Sequence, residues 1–132
     1  MHESIVLDMS ERLFIVVIDD DSSVCRALRR LLQSAQMDVE TYPSGDSFLR
    51  AVDGRRPDCL VLDIRMPGLT GLELRDRLHD LGHRIPVVFI TAHAEELAPQ
   101  HGVGTAEVLH KPFRSEVLLA AIGRAVQRPS AN

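Results

Sequence analysis

The chain has 132 residues, enough for one domain around a single core. Hydrophobic residues make up 45% and charged residues 26%, a globular rather than disordered mix, and a formal charge of −4 gives no electrostatic reason to bind nucleic acid or an anionic membrane directly. No apolar run approaches the roughly 18 residues of a membrane span, and the acidic opening "MHESIVLDMSER" lacks the apolar length of a signal peptide, so a cytoplasmic location is expected.

Residues 1–11 read as an N-terminal extension. The first strand is "LFIVVI" (13–18), and it runs straight into "DDDSS", three like charges that a stable fold has no reason to line up unless they hold something. Over 22–35, Val24, Ala27, Leu28, Leu31, Leu32 and Ala35 recur at helical steps. "DVETY" (38–42) is a weaker strand. Ser44 is placed to cap a short helix through Val52, with Gly54 ending it. "CLVLDI" (59–64) is the third strand. Thr70 and Glu73 stand at capping-box spacing before a helix whose apolar face is Leu72, Leu74, Leu78 and Leu81. "IPVVFIT" (85–91) is the fourth strand and "EVLH" (107–110) a weaker fifth. Between them Pro99, Gly102 and Gly104 disfavour a regular helix, so the fourth helix is expected to be short or irregular. Val117, Leu118, Ala121, Ile122, Ala125 and Val126 form a last helical stripe before Pro129, and 128–132 read as a tail.

The strong strands show little polar alternation, which suits strands covered on both faces. Strand and helix alternate throughout, which implies right-handed crossovers and an α/β three-layer sandwich over 12–127. Such sheets bind ligands at the carboxyl ends of their strands. That rule gathers Asp19, Asp20 and Asp21 (after strand one), Asp63 (strand three), Thr91 (strand four) and Lys111 (strand five) on one rim. Several carboxylates in one crevice raise each other's pKa, and a divalent cation resolves the conflict. Oxygen ligands alone select a hard ion such as Mg²⁺. A carboxylate nucleophile, a hydroxyl donor in Thr91 and a mobile cation in Lys111 make a phosphoryl-transfer site.

Taken together, "DDD" (19–21), "LDIRMPGLTG" (62–71), "FITA" (89–92) and "HKPF" (110–113) resemble the receiver domain of bacterial two-component response regulators, over nearly the whole chain. The resemblance implies a flavodoxin-like (βα)5 fold with parallel sheet order 2-1-3-4-5. It implies that Asp63 accepts a phosphoryl group from a histidine kinase or phosphotransfer protein, becoming a 4-aspartylphosphate, and that the domain is not an enzyme beyond its own phosphorylation and dephosphorylation. By position, Asp20 would be the direct Mg²⁺ ligand beside Asp63, Asp19 would act through water, and the carbonyl of Arg65 would be a further ligand. Thr91 would donate to the phosphoryl group and Lys111 would bridge to it. Lys111-Pro112 resembles the family's cis peptide, Pro67 and Gly68 shape the turn after the nucleophile, and Gly71 resembles a glycine in the first turn of the next helix. The implied partners also include an output domain or target protein and a phosphorylation-linked homodimer. With only "QRPSAN" after Val126, the chain is read as a stand-alone receiver or as the front of a longer, transcription-regulating protein.

Two departures from the family stand out. Val108 occupies the position, three before the lysine, where receivers carry a switch aromatic. Thr91 and Lys111 are also closely spaced for the family, which points to an unusual output surface.

Other readings compete residue by residue. Asp21 beside Ser22 reads first as a helix N-cap. Arg65 is either solvated or a modulator of the phosphoryl lifetime, and His93 and His110 are modulators or bystanders. His79 and His83 have metal-pair spacing, but Gly82 interrupts the helix between them. Cys25 and Cys59 read as small buried hydrophobes rather than a disulfide or a reactive thiol. "GVGTAE" (102–107) precedes a strand, the wrong context for a dinucleotide loop. "VVIDDDSSV" also fits the first motif of haloacid-dehalogenase-type phosphatases, with Asp19 as nucleophile and Asp21 as general acid. That scheme needs an acidic pair after the lysine, where only Glu116 stands. A receiver-fold interaction module that is never phosphorylated is the third alternative.

Overall fold

The computed structural model describes residues 12–92 and 106–127. Five strands, β1 (Phe14–Ile18), β2 (Asp38–Tyr42), β3 (Cys59–Asp63), β4 (Val87–Thr91) and β5 (Glu107–His110), form one parallel sheet in the order β2-β1-β3-β4-β5. The helices are α1 (Ser22–Ser34), α2 (Gly45–Arg50), α3 (Gly71–Asp80) and α4 (Ser115–Gln127). The expected helix between β4 and β5 falls on residues outside those described, as do the N-terminal extension, the tail and His93.

Side-chain alternation divides the core into two layers. Ile15, Val17, Cys59, Val61, Val88 and Ile90 face α1 and α4, packing on Leu28, Leu32, Leu118 and Ile122. Phe14, Val16, Ile18, Leu60, Leu62 and Phe89 face α2 and α3, packing on Phe48, Leu74 and Leu78. Because β1, β3 and β4 are buried on both faces along their whole length, their sequences read as unbroken apolar runs. β2 and β5 are the edges, half-covered, and their patterns are correspondingly mixed.

Local chemistry sets the helix starts. The Asp21 side chain accepts from the Ser23 N–H to cap α1, Ser44 caps α2, and Thr70 with Glu73 closes a full capping box on α3. Four details differ from the sequence reading. Ala27 is exposed, and the buried stripe of α1 is Cys25, Leu28 and Leu32. The helix α2 stops at Arg50, and Gly54 merely donates its N–H to the Ala51 carbonyl in the turn beyond. Leu81 is 57% exposed because α3 has already ended and Gly82, at φ +89°, turns the chain away. Val117 is 41% exposed because the buried stripe of α4 is the narrower set Leu118, Ala121, Ile122 and Ala125.

Candidate functional site

Parallel pairing sets Asp63 beside Ile90 and Thr91 beside His110, and Ile18 beside Leu62, so the residues that follow β1 emerge next to the end of β3. Four strand ends, those of β1, β3, β4 and β5, therefore converge. Asp19, one residue past β1, is 1% exposed, and each of its four polar groups has a partner. Its N–H donates to the Tyr42 carbonyl (3.2 Å), Oδ1 accepts from the Asp21 N–H (2.9 Å), Oδ2 accepts from Lys111 Nζ (2.9 Å), and its carbonyl accepts from the Cys25 thiol (3.3 Å). Asp63 is 6% exposed, with Oδ1 3.8 Å from Lys111 Nζ. Asp20 is exposed, and one carboxylate oxygen from each of Asp19, Asp20 and Asp63 lies within 4.8 Å of the others. Among the described residues this trio is the one cluster of potential metal ligands, and it offers only oxygen, the donor set of a hard cation.

The electrostatics follow from this crowding. Burial, followed by the neighbouring charge of Asp19, pushes the Asp63 carboxyl from the ordinary 3.8 up to about 7, against the opposing pull of Lys111 and of a hydrogen bond from the Arg65 N–H. For Lys111, burial works against the charged form, but the hydrogen bond to Asp19 and the charges of Asp63, Asp19 and Asp21 outweigh it and raise its pKa. Asp21 is held below the ordinary carboxylate value by the Ser23 hydroxyl and N–H, the signature of a cap rather than of an acid catalyst.

The structure thus brings Asp19, Asp20, Asp63 and Lys111 together, and it sets Thr91, 1% exposed, at the same rim, where its carbonyl accepts the Lys111 N–H (2.8 Å). The Lys111-Pro112 bond is cis. The Arg65 side chain is exposed. In this structure Lys111 reaches Asp19 more closely than Asp63, a preference the sequence did not signal. Val108 packs, partly buried, against the α2/α3-side cluster. His79 lies in α3 and His83 beyond its end, and both cysteines are free and buried.

Two supporting contacts escaped the sequence reading. Gly71 was legible as a first-turn glycine, but its steric reason was not: a Cβ there would collide with the Asp63 carbonyl oxygen and meet Ile64 Cα at 3.0 Å. Cys25, read as a filler, touches the backbone of Asp19. Neither contact leaves a mark in sequence, because each depends on how closely a helix end approaches a strand end.

The arrangement is that of a response regulator receiver. The family model described as "Response regulator receiver domain" matches residues 15–123, and the chain belongs to that family. The chain is 37% identical over 122 residues to the response regulator protein TodT of Pseudomonas putida, covering 90% of this chain and 54% of TodT. To the DNA-binding transcriptional regulator NtrC of Klebsiella pneumoniae it is 35% identical over 112 residues, covering 83% of this chain and 24% of NtrC. The solved structure of the response regulator StyR superposes with a TM-score of 0.77 at 43% identity, covering 88% of this chain and 60% of that one. The chain therefore spans about half the length of TodT and a quarter of NtrC.

Proposed function

We propose that Asp63 is the phosphoacceptor. Its carboxylate oxygen attacks the phosphorus of a phosphohistidine on a histidine kinase or phosphotransfer protein; a P–O bond forms, the P–N bond breaks with its electron pair returning to the ring nitrogen, and the imidazole, already protonated on its other nitrogen, leaves as the neutral ring. The observation that carries this reading is the placement of Asp63, a nearly buried carboxylate with two further carboxylates and the Lys111 ammonium around it. Lys111 is held at the rim by Asp19 and has a short path to an anionic oxygen on Asp63, where it would neutralise charge. The Thr91 hydroxyl, at the end of the adjacent strand, is a donor for the same group. Asp20, Asp63 and the Arg65 carbonyl would hold Mg²⁺, which supplies further charge neutralisation when bound. Both oxygens of Asp19 are already engaged, which favours its contribution through water. The aspartylphosphate would then switch a target protein or output domain, and relatives such as NtrC support a transcriptional output.

The test is incubation with acetyl phosphate and Mg²⁺ followed by intact mass. One phosphoryl group is expected on the wild-type chain, none on Asp63→Asn, and none when EDTA replaces Mg²⁺. Uptake that survives Asp63→Asn but not Asp19→Asn would favour the phosphatase alternative. A wild-type chain that takes up nothing would be an interaction module.

A further inference from the structure

We infer that Cys25 is a positioning residue for the acidic pocket, its thiol fixing the peptide plane that joins Asp19 to Asp20. The inference rests on the reading of that pocket as a Mg²⁺ site. Cys25 lies one turn into α1 on its buried side, 8% exposed, within the cluster of Ile15, Val17, Leu28 and Val61. Its sulfur lies 3.3 Å from the Asp19 carbonyl oxygen, reaching back across the turn that separates β1 from α1. That carbonyl belongs to a residue with 1% exposure, and the thiol is its partner there. The Asp19 carbonyl and the Asp20 N–H share one rigid plane, so a donor that holds the carbonyl also sets the direction in which Asp20 leaves the strand. Asp19 and Asp20 supply two of the three carboxylates that meet within 4.8 Å. The Asp19 side chain has its own tethers in Asp21 and Lys111; the exposed Asp20 depends more heavily on the backbone beneath it. A buried carbonyl that loses its donor turns toward any other source of hydrogen bonds, and here the turn would carry Asp20 out of register with Asp63.

A space-filling role and a positioning role predict opposite orders among substitutions. Cys25→Ser keeps a donor but buries a hydroxyl among apolar side chains. Cys25→Val fills the space with no donor, and Cys25→Ala supplies neither. The full chain and each variant would be titrated with Mg²⁺, followed by amide chemical shifts of Asp20 and Asp63, and thermal midpoints would be measured in EDTA. Positioning predicts Mg²⁺ affinity within about twofold of wild type for Cys25→Ser and about three- to tenfold weaker for Cys25→Ala and Cys25→Val, while Cys25→Val remains more heat-stable than Cys25→Ser. Should Mg²⁺ affinity follow heat stability, with Cys25→Val equal to wild type and Cys25→Ser weakest, the thiol only fills space and the inference is overturned. If one apolar variant fails to fold, the other decides. A wild-type chain with no Mg²⁺ affinity would instead remove the underlying reading of the pocket, an outcome visible before any variant is made.

Discussion

The two ends of the sheet use the same residue types to opposite effect. At the amino end, among the described residues, the acidic side chains at strand starts have structural partners: Asp38 lies 3.4 Å from Arg12 and 3.1 Å from Arg55, Asp58 accepts the Phe14 N–H at 2.8 Å, and Glu107 accepts from the Arg124 guanidinium at 2.9 and 3.1 Å. Arg56, in the same region, donates to the Arg84 carbonyl at 2.6 Å. At the carboxyl end three carboxylates crowd around one lysine, and Asp63 is driven up to about 7 by burial and by Asp19. At the amino end each of these carboxylates is matched by a cation or a backbone donor. The carboxyl end keeps an unresolved surplus of negative charge, the condition under which a cation or a phosphoryl-neutralising group is welcome.

Removing a carboxylate charge at the two ends should therefore differ in sign as well as size. The largest effect is expected at Gly71, beneath the carboxyl end. Gly71→Ala pushes a methyl group into the Asp63 carbonyl and should destabilise the fold by about 2–3 kcal/mol in denaturant unfolding, with loss of phosphoryl uptake.

Next comes Asp63→Asn, which should stabilise the chain by about 2 kcal/mol at pH 8 without divalent cations, part of the ~4 kcal/mol implied by a shift of this size. The pH dependence has a definite sign. The folded-state pKa, about 7, lies above the unfolded 3.8, so the folded chain binds a proton in that window that the unfolded chain releases. The stability this group contributes is complete below the unfolded value and is lost as pH rises through the folded one. The advantage of Asp63→Asn should accordingly be largest above pH 7 and shrink toward pH 3.8. An advantage that grows on acidification would mean that Asp63 is not the strained carboxyl.

Removing a cap should be milder. Thr70→Ala leaves the Glu73 N–H without its side-chain acceptor and should cost about 1 kcal/mol. Smallest is Asp38→Asn at the amino end, where a partly exposed pair of salt bridges is weakened. It should destabilise by about 0.5–1 kcal/mol, opposite in sign to Asp63→Asn, and thermal melts of the two side by side would check the contrast between the ends.

Much of this could be read from the chain itself. "FIVVI", "CLVLD" and "VVFIT" are buried on both faces, and continuous burial leaves an unambiguous apolar run. "DVETY" and "EVLH" coincide with the edge strands even though half-covered strands carry weaker patterns. The caps at Asp21, Ser44 and Thr70 were legible because capping is a contact between residues two or three apart. The exposures of Leu81 and Val117 were not, since periodicity marks the apolar side of a helix but not how much of it the sheet covers.

For the site, order along the chain was sufficient to nominate Asp19, Asp20, Asp63, Thr91 and Lys111, because a parallel sheet sends every strand's carboxyl end to the same rim. Sequence by itself thus determined the elements among the described residues, their alternation and which residues were nominated for that rim, all set by local propensity and by burial on two faces. Tertiary structure alone decided that Lys111 rests on Asp19 rather than on Asp63, that α3 approaches β3 too closely for any side chain at Gly71, and that Cys25 lies against the Asp19 carbonyl. The physical reason is distance. Hydrogen bonds and steric contacts vary over tenths of an ångström, and those separations are fixed only when strands and helices from distant parts of the chain have packed.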